Sequence, residues 1–168
     1  AANIILAKNA YILDSGIIAH AINDGWAING ILASANIVIQ GSLIDSYVGG
    51  NGNAITSIFA LGTLNITNST ITSTVELDGN AIVIAGALFG VNIDPSTIGA
   101  YVNGNGNAAV GIISLLGPVT IQDSLIESNV SGNGYAFTVI SALDDITLIN
   151  SDVRALVGGT GNSAAILL

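Results

Sequence analysis

The sequence repeats itself with a period of 27 residues, which limits the chain to a stack of equivalent units. Asn53, Asn80 and Asn107 lie 27 residues apart, each after a glycine, and Asn162 holds the same place in a later unit after Tyr135. Cutting after this place divides the chain into 1–26, 27–53, 54–80, 81–107, 108–135, 136–162 and a short stub, 163–168.

Several columns of like residues follow from this alignment. One column is serine, one is glycine, and two are almost entirely isoleucine. The serine column is Ser15, Ser42, Ser69, Ser96, Ser124 and Ser151; the glycine column is Gly25, Gly52, Gly79, Gly106, Gly134 and Gly161; the isoleucine columns contain Ile39, Ile66 and Ile93, and Ile44, Ile71 and Ile98. Matches in every unit predict ladders of identical side chains.

The period inside a unit is two. In residues 64–67 apolar and polar residues alternate, and Ile71, Ser73 and Val75 continue one side of that alternation. This pattern is typical of β-strands. The sequence therefore predicts an all-β, single-domain parallel β-solenoid of about six 27-residue coils, each with three strands of roughly 5 to 7 residues.

The composition excludes several partners. Only 8% of the residues are charged, whereas about 25% is usual. The net charge of −9, with two strong cations, argues against nucleic acid and anionic lipid as partners. Charge-free stretches such as residues 81–91 are too short for a membrane helix, so no membrane insertion is expected. The absence of Cys and Met suits an extracellular or cell-surface protein.

The first strand of each unit is apolar on both sides, as in residues 81–89 and 108–116. Stacked coils would then present an apolar outer surface, which usually marks an interface. The terminal segments 1–7 and 163–168 contain no polar cap, so we also expect head-to-tail contact between copies. The predicted interface residues are Ala1, Ile4, Ile5, Leu6, Ile82, Ile84, Ile112, Ile113, Phe137, Ile166, Leu167 and Leu168.

No catalytic, metal or cofactor site is predicted. A β-helix enzyme that acts on polysaccharides needs a carboxylate pair together with basic residues, and the chain offers only Lys8, Arg154 and His20. The turns at residues 49–53 and 158–162 are similar to the calcium turns of β-rolls, but Asn replaces the ligating Asp.

Two features of the asparagines have alternative interpretations. Asn53, Asn80, Asn107 and Asn162 either serve only turn geometry or form a hydrogen-bonded amide ladder. Asn65 and Asn68 each begin a glycosylation sequon, which in a chain so rich in Asn, Ser and Thr is a weak signal.

The segment Gly117-Pro118-Val119-Thr120-Ile121-Gln122-Asp123-Ser124-Leu125-Ile126 resembles the repeats of right-handed parallel β-helix surface proteins, both haemagglutinin-type adhesins and repeat-built archaeal envelope or sheath proteins. The resemblance implies a secreted, non-enzymatic role and transfers no functional residues. Our interpretation is a structural building block of an extracellular filament, tube or sheath, whose partner is itself. The alternatives are an adhesin that binds a host or glycan surface and, third, a carbohydrate-active β-helix enzyme.

Overall fold

A computed structural model describes residues 1–168 and confirms the parallel β-solenoid of about six coils. Each coil consists of one long strand, a turn, two short strands that meet at a corner, and a second turn. The strands are β1 (Ala2–Ala7), β2 (Ala10–Leu13), β3 (Gly16–Ala21), β4 (Gly25–Ala33), β5 (Ile37–Gln40), β6 (Leu43–Val48), β7 (Gly52–Ala60), β8 (Leu64–Val75), β9 (Gly79–Ala87), β10 (Val91–Val102), β11 (Gly106–Ser114), β12 (Val119–Gln122), β13 (Leu125–Val130), β14 (Gly134–Ala142), β15 (Ile146–Ile149), β16 (Asp152–Val157) and β17 (Gly161–Leu167).

Two parallel sheets enclose the core. The long strands form a flat stack in the order β1-β4-β7-β9-β11-β14-β17, which we call the long-strand sheet. The other ten strands form a sheet that turns at the corner, which we call the bent sheet. In most coils it contains two strands of 4 and 6 residues, whereas β8 and β10 run through the corner as single strands of 12 residues. Strands of successive coils pair in register, so that Gly52 lies beside Gly79 and Gly79 beside Gly106.

The strand lengths differ from the sequence-based estimate of 5 to 7 residues. Three coils combine a strand of 9 residues with strands of 4 and 6, and two combine a strand of 9 with one continuous strand of 12. The long strand was underestimated because its outward positions are apolar, which hides the period of two. The extra residue of one unit lies between Ser114, which pairs with Ala87, and Val119, which pairs with Val91.

The core is a stack of small and branched apolar side chains. Ile39, Ile66 and Ile93 are fully buried in one column, and Ile44, Ile71 and Ile98 in another. Opposite them, the long strands contribute mainly alanine, isoleucine and valine. Full burial of one isoleucine stabilises a fold by about 1.5–3 kcal/mol, so the repeated columns are the main source of stability.

Polar side chains inside the coils form closed networks. Asn29 is fully buried and donates to the carbonyl oxygen of Asp45 at 2.7 Å and to the Ser46 hydroxyl at 3.1 Å. The Ser46 and Thr56 hydroxyls lie 2.9 Å apart, and Ser73 continues the chain of bonds towards Thr56 at 3.2 Å. No buried side-chain polar atom lacks a partner. These bonds join the two sheets and fix their relative register.

Candidate assembly surface

The outward side of the long-strand sheet, which we call the outer face, carries no charged residue. None of β1, β4, β7, β9, β11, β14 and β17 contains Asp, Glu, Lys, Arg or His. All 13 charged side chains and His20 lie on the bent sheet or in turns. A net charge of −9 is thus confined to the rest of the surface.

Inward and outward positions alternate along each long strand. In β9, Ala81, Val83 and Ala85 are buried, whereas Ile84 points outward and is 38% exposed. Two central outward columns are apolar in every coil except at Ser57. They are Ala2, Ile28, Ile55, Ile82, Ala109, Phe137 and Ala164, and Ile4, Gly30, Ser57, Ile84, Gly111, Val139 and Ile166.

The outer face has the size of a protein–protein interface. Nine residues in an extended strand span about 30 Å, and seven strands at about 4.8 Å spacing span about 29 Å. The product, about 870 Å², is close to the roughly 800 Å² that each partner buries in a standard complex. Isolated monomers seldom expose an uncharged, largely apolar patch of this extent.

A shallow depression lies in the face where Gly111 interrupts its column. Ile82, Ile84, Ile113, Phe137 and Val139 line it. A Cβ atom at Gly111 would meet nothing closer than Ile113 Cδ1, at 3.9 Å, so the space above Gly111 is open. A side chain from another molecule can therefore enter here without displacing any atom.

The structure distributes the predicted interface residues over three environments. Ile4, Ile82, Ile84, Ile113, Phe137 and Ile166 belong to the outer face, as does Leu6 in the neighbouring column. Ile5 and Leu167 belong to the core-facing column and are accessible only because they lie in the first and last coils, near Ala1 and the exposed Leu168. Ile112 is a wrong assignment, because its side chain is fully buried in the core.

Sequence reasoning missed several members of the outer face. Ile28, Leu32, Ile55 and Val139 point outward but were left out of the prediction. The signal that identifies them is their distance from the glycine column: every second residue, counted from the one after the glycine, points outward.

The bent sheet differs from the outer face in carrying charged and polar side chains, although Tyr11, Leu13 and Ile18 are also exposed on it. His20 Nε2 lies 2.9 Å from Asp45 Oδ2, and Arg154 lies 3.3 Å from Glu127 and 3.1 Å from Asp152. Partial burial, and then the Glu127 carboxylate, raise the pKa of Tyr101. The ion pairs of His20 and Arg154 are typical of a solvated surface.

The predicted asparagine ladder is formed by three of its four members. Asn80 Nδ2 donates to Asn53 Oδ1 at 2.7 Å, and Asn107 Nδ2 donates to Asn80 Oδ1 at 2.7 Å. Tyr135 lies between Asn107 and Asn162, so Asn162 is not part of the ladder. These residues occupy the second position of a long strand rather than the turn itself.

The remaining polar candidates lie apart from the outer face. Asn65 is a half-buried residue of β8, and Asn68 is exposed at the corner with a φ of 50°. No group of three His, Cys, Asp or Glu side chains is arranged to hold a metal ion. No helix in this structure has the length and apolarity needed to cross a membrane.

No protein-family model, curated protein or solved structure matches this chain.

Proposed function

We propose that this protein is a structural building block that assembles with copies of itself through the outer face. One observation carries the proposal: seven adjacent strands present a face of about 870 Å² that has no charged side chain and whose two central columns are apolar except at Ser57. Burial of such a surface is favoured by the hydrophobic effect. A second copy supplies a surface of the same extent and chemistry.

The charge distribution supports self-association rather than opposing it. The carboxylates of Asp45 and Glu127 lie on the bent sheet, on the far side of the coil from the outer face. Two copies that meet at their outer faces therefore keep these negative charges apart, and both retain a charged surface towards water. Contact through the bent sheets would bring like charges together.

Head-to-tail contact and an extracellular or cell-surface location stay predictions from the sequence. Of the seventh coil, the described residues include only the long strand β17. The proposal therefore rests on the outer face alone.

Sedimentation velocity and electron microscopy of the full chain test the proposal. We expect dimers or larger assemblies, and we expect Ile84→Lys to weaken association by about 30-fold or more, because it buries a charge in the interface. Thr120→Lys adds the same charge to the bent sheet and should leave association unchanged.

The alternatives give different outcomes. An adhesin-type rod or a monomeric enzyme would sediment as a single monomer at every concentration, and that result would reject the proposal. Equal effects of Ile84→Lys and Thr120→Lys would reject the outer face as the contact.

A further inference from the structure

Large and small side chains are unevenly distributed along the two central columns of the outer face. In β9 both outward residues are large, Ile82 and Ile84, whereas in β11 the neighbours are Ala109 and Gly111. The same asymmetry separates β7 from β14, where Ser57 corresponds to Val139. This uneven relief limits how two such faces can be packed together.

One packing that fits this relief is generated by a two-fold axis parallel to the strands. Half a turn about the strand direction keeps each column opposite the same column of the second copy and reverses the order of the coils. When the axis lies midway between β9 and β11, β9 of one copy faces β11 of the other, β7 faces β14, and β4 faces β17. Because the relation is isologous, every contact occurs twice.

The facing residues in this arrangement are complementary in size. Ile84 faces Gly111, and Ile82 faces Ala109, so the two large residues of β9 meet the two small ones of β11. Five of the six facing pairs in the central columns combine a large with a small residue: Ile84 with Gly111, Ile82 with Ala109, Val139 with Ser57, Ile166 with Gly30, and Ile28 with Ala164, while Ile55 faces Phe137.

Other axes lose this complementarity. An axis through β9 places Ile84 on Ile84 and leaves Ser57 opposite Gly111. An axis along the stack of coils exchanges the two columns, which places Ile82 opposite Ile84 and Ala109 opposite Gly111. Two large residues at a contact overfill it and two small ones leave a void, and both cost stability.

We propose that two copies of this chain pair through their outer faces about a two-fold axis parallel to the strands, between β9 and β11, with Ile84 of each copy seated in the depression at Gly111 of the other. The pairing rests on the proposed function and specifies it. The occupant of the outer face is a second copy with its coils in reverse order. The six strands that face each other, β4 to β17, cover about 720 Å² per copy, which is within the range of a stable complex.

Exchanging the large and the small residue at the contact between Ile84 and Gly111 tests the proposed pairing. Gly111→Ile fits the isolated fold, since a Cβ at that position has room, but it closes the depression to Ile84 of the second copy. We expect association to weaken by about 10- to 100-fold. The double variant Ile84→Ala with Gly111→Ile exchanges large for small on both sides and should restore association to within about 5-fold of the original.

A matched control separates this effect from added hydrophobicity. Thr120→Ile adds an isoleucine to the bent sheet and should leave association unchanged. A double variant that associates no better than Gly111→Ile alone would overturn the pairing of Ile84 with Gly111.

Cross-linking tests the reversed coil order, because the chain contains no native cysteine. Chains with Gly30→Cys, mixed with chains with Ile166→Cys, should be joined by a bismaleimide of about 10 Å, the distance between packed sheets. Either variant alone should not be joined, since its two thiols would lie five strands apart, about 24 Å along the stack.

The outcomes distinguish this inference from the proposed function. If each single variant cross-links to itself and no product in the mixture joins the two different variants, the coils run in the same order and the reversed pairing is wrong, although self-association stands. If the chain is monomeric, no mixture cross-links and both proposals fail.

Discussion

Successive coils are joined by different means at the turn before the long strand and at the corner of the bent sheet. At the turn, Gly79 and Gly106 have φ values of 155° and 148°, and a Cβ on Gly106 would lie 1.8 Å from the Gly79 carbonyl oxygen. At the corner, the Ser69 hydroxyl accepts the backbone N–H of Ser42 at 3.1 Å. The turn contains side-chain bonds as well, since Asp78 Oδ1 accepts the backbone N–H of Asn105 at 2.7 Å. Only the close approach at Gly106 requires the absence of a side chain, whereas the corner bond requires one.

This difference predicts which substitutions each edge tolerates. The corner contains non-glycine residues with positive φ, among them Asp14, Asn68 and Asp123 at 47–50°. Asn and Asp adopt this region at little cost. The φ values of the turn glycines, near 150°, belong to a region that is essentially restricted to glycine. We therefore expect the turn to be the more sensitive edge.

The largest expected effect is that of Gly106→Ala. The new methyl group would overlap the Gly79 carbonyl, and the φ of 148° is strained for alanine. We expect a loss of about 4 kcal/mol or more in the free energy of unfolding, measured by urea denaturation followed by circular dichroism.

Gly16→Ala is the control, since Gly16 begins β3 on the bent sheet, away from the outer face, and a Cβ there would meet nothing closer than Ile18 Cδ1, at 3.7 Å. It should change stability by less than about 1 kcal/mol. If both variants unfold at the same urea concentration, close backbone approach is not what the turn glycines provide.

The repeat and its ladders could be predicted from the sequence because stacking in register requires like residues at equal intervals. The serine column illustrates this: a hydroxyl that accepts a backbone N–H of the preceding coil, as Ser69 does from Ser42, serves every coil alike. The positive-φ column at the corner was harder to predict, because Asp14, Gly41, Asn68 and Asp123 are not identical and Pro95 interrupts the column beside Asn68.

The sequence predicts that an apolar outer face exists, but it does not identify every residue that belongs to it. An apolar run gives no mark of which side faces inward, so Ile112 was placed outside, although Ile113 is the outward one. The size relation between Ile84 and Gly111 depends on how two copies meet, which a single sequence does not contain.

An intermediate effect is expected from Ser69→Ala at the corner. The hydroxyl accepts from the buried N–H of Ser42 and donates to the Thr67 carbonyl at 2.8 Å. Its removal leaves the Ser42 N–H without a partner, and we expect a loss of about 1–3 kcal/mol in the same denaturation experiment.

Ser131→Ala is the control for Ser69→Ala, because Ser131 is exposed in a turn away from the outer face and its hydroxyl makes no hydrogen bond within the chain. Its effect on stability should be within about 0.5 kcal/mol. Equal losses from the two variants would show that the corner ladder adds nothing beyond the loss of a serine.

The smallest expected effect is that of Asn80→Ala, which interrupts the asparagine ladder beside the turn glycines. Asn80 donates to Asn53 and accepts from Asn107, so both amide bonds are lost. The ladder is only partly buried, and water replaces much of what is lost, so we expect about 0.5–1 kcal/mol by urea denaturation. A larger loss than that of Ser69→Ala would contradict the comparison, because the glycine edge would then depend on side-chain bonds as strongly as the corner does.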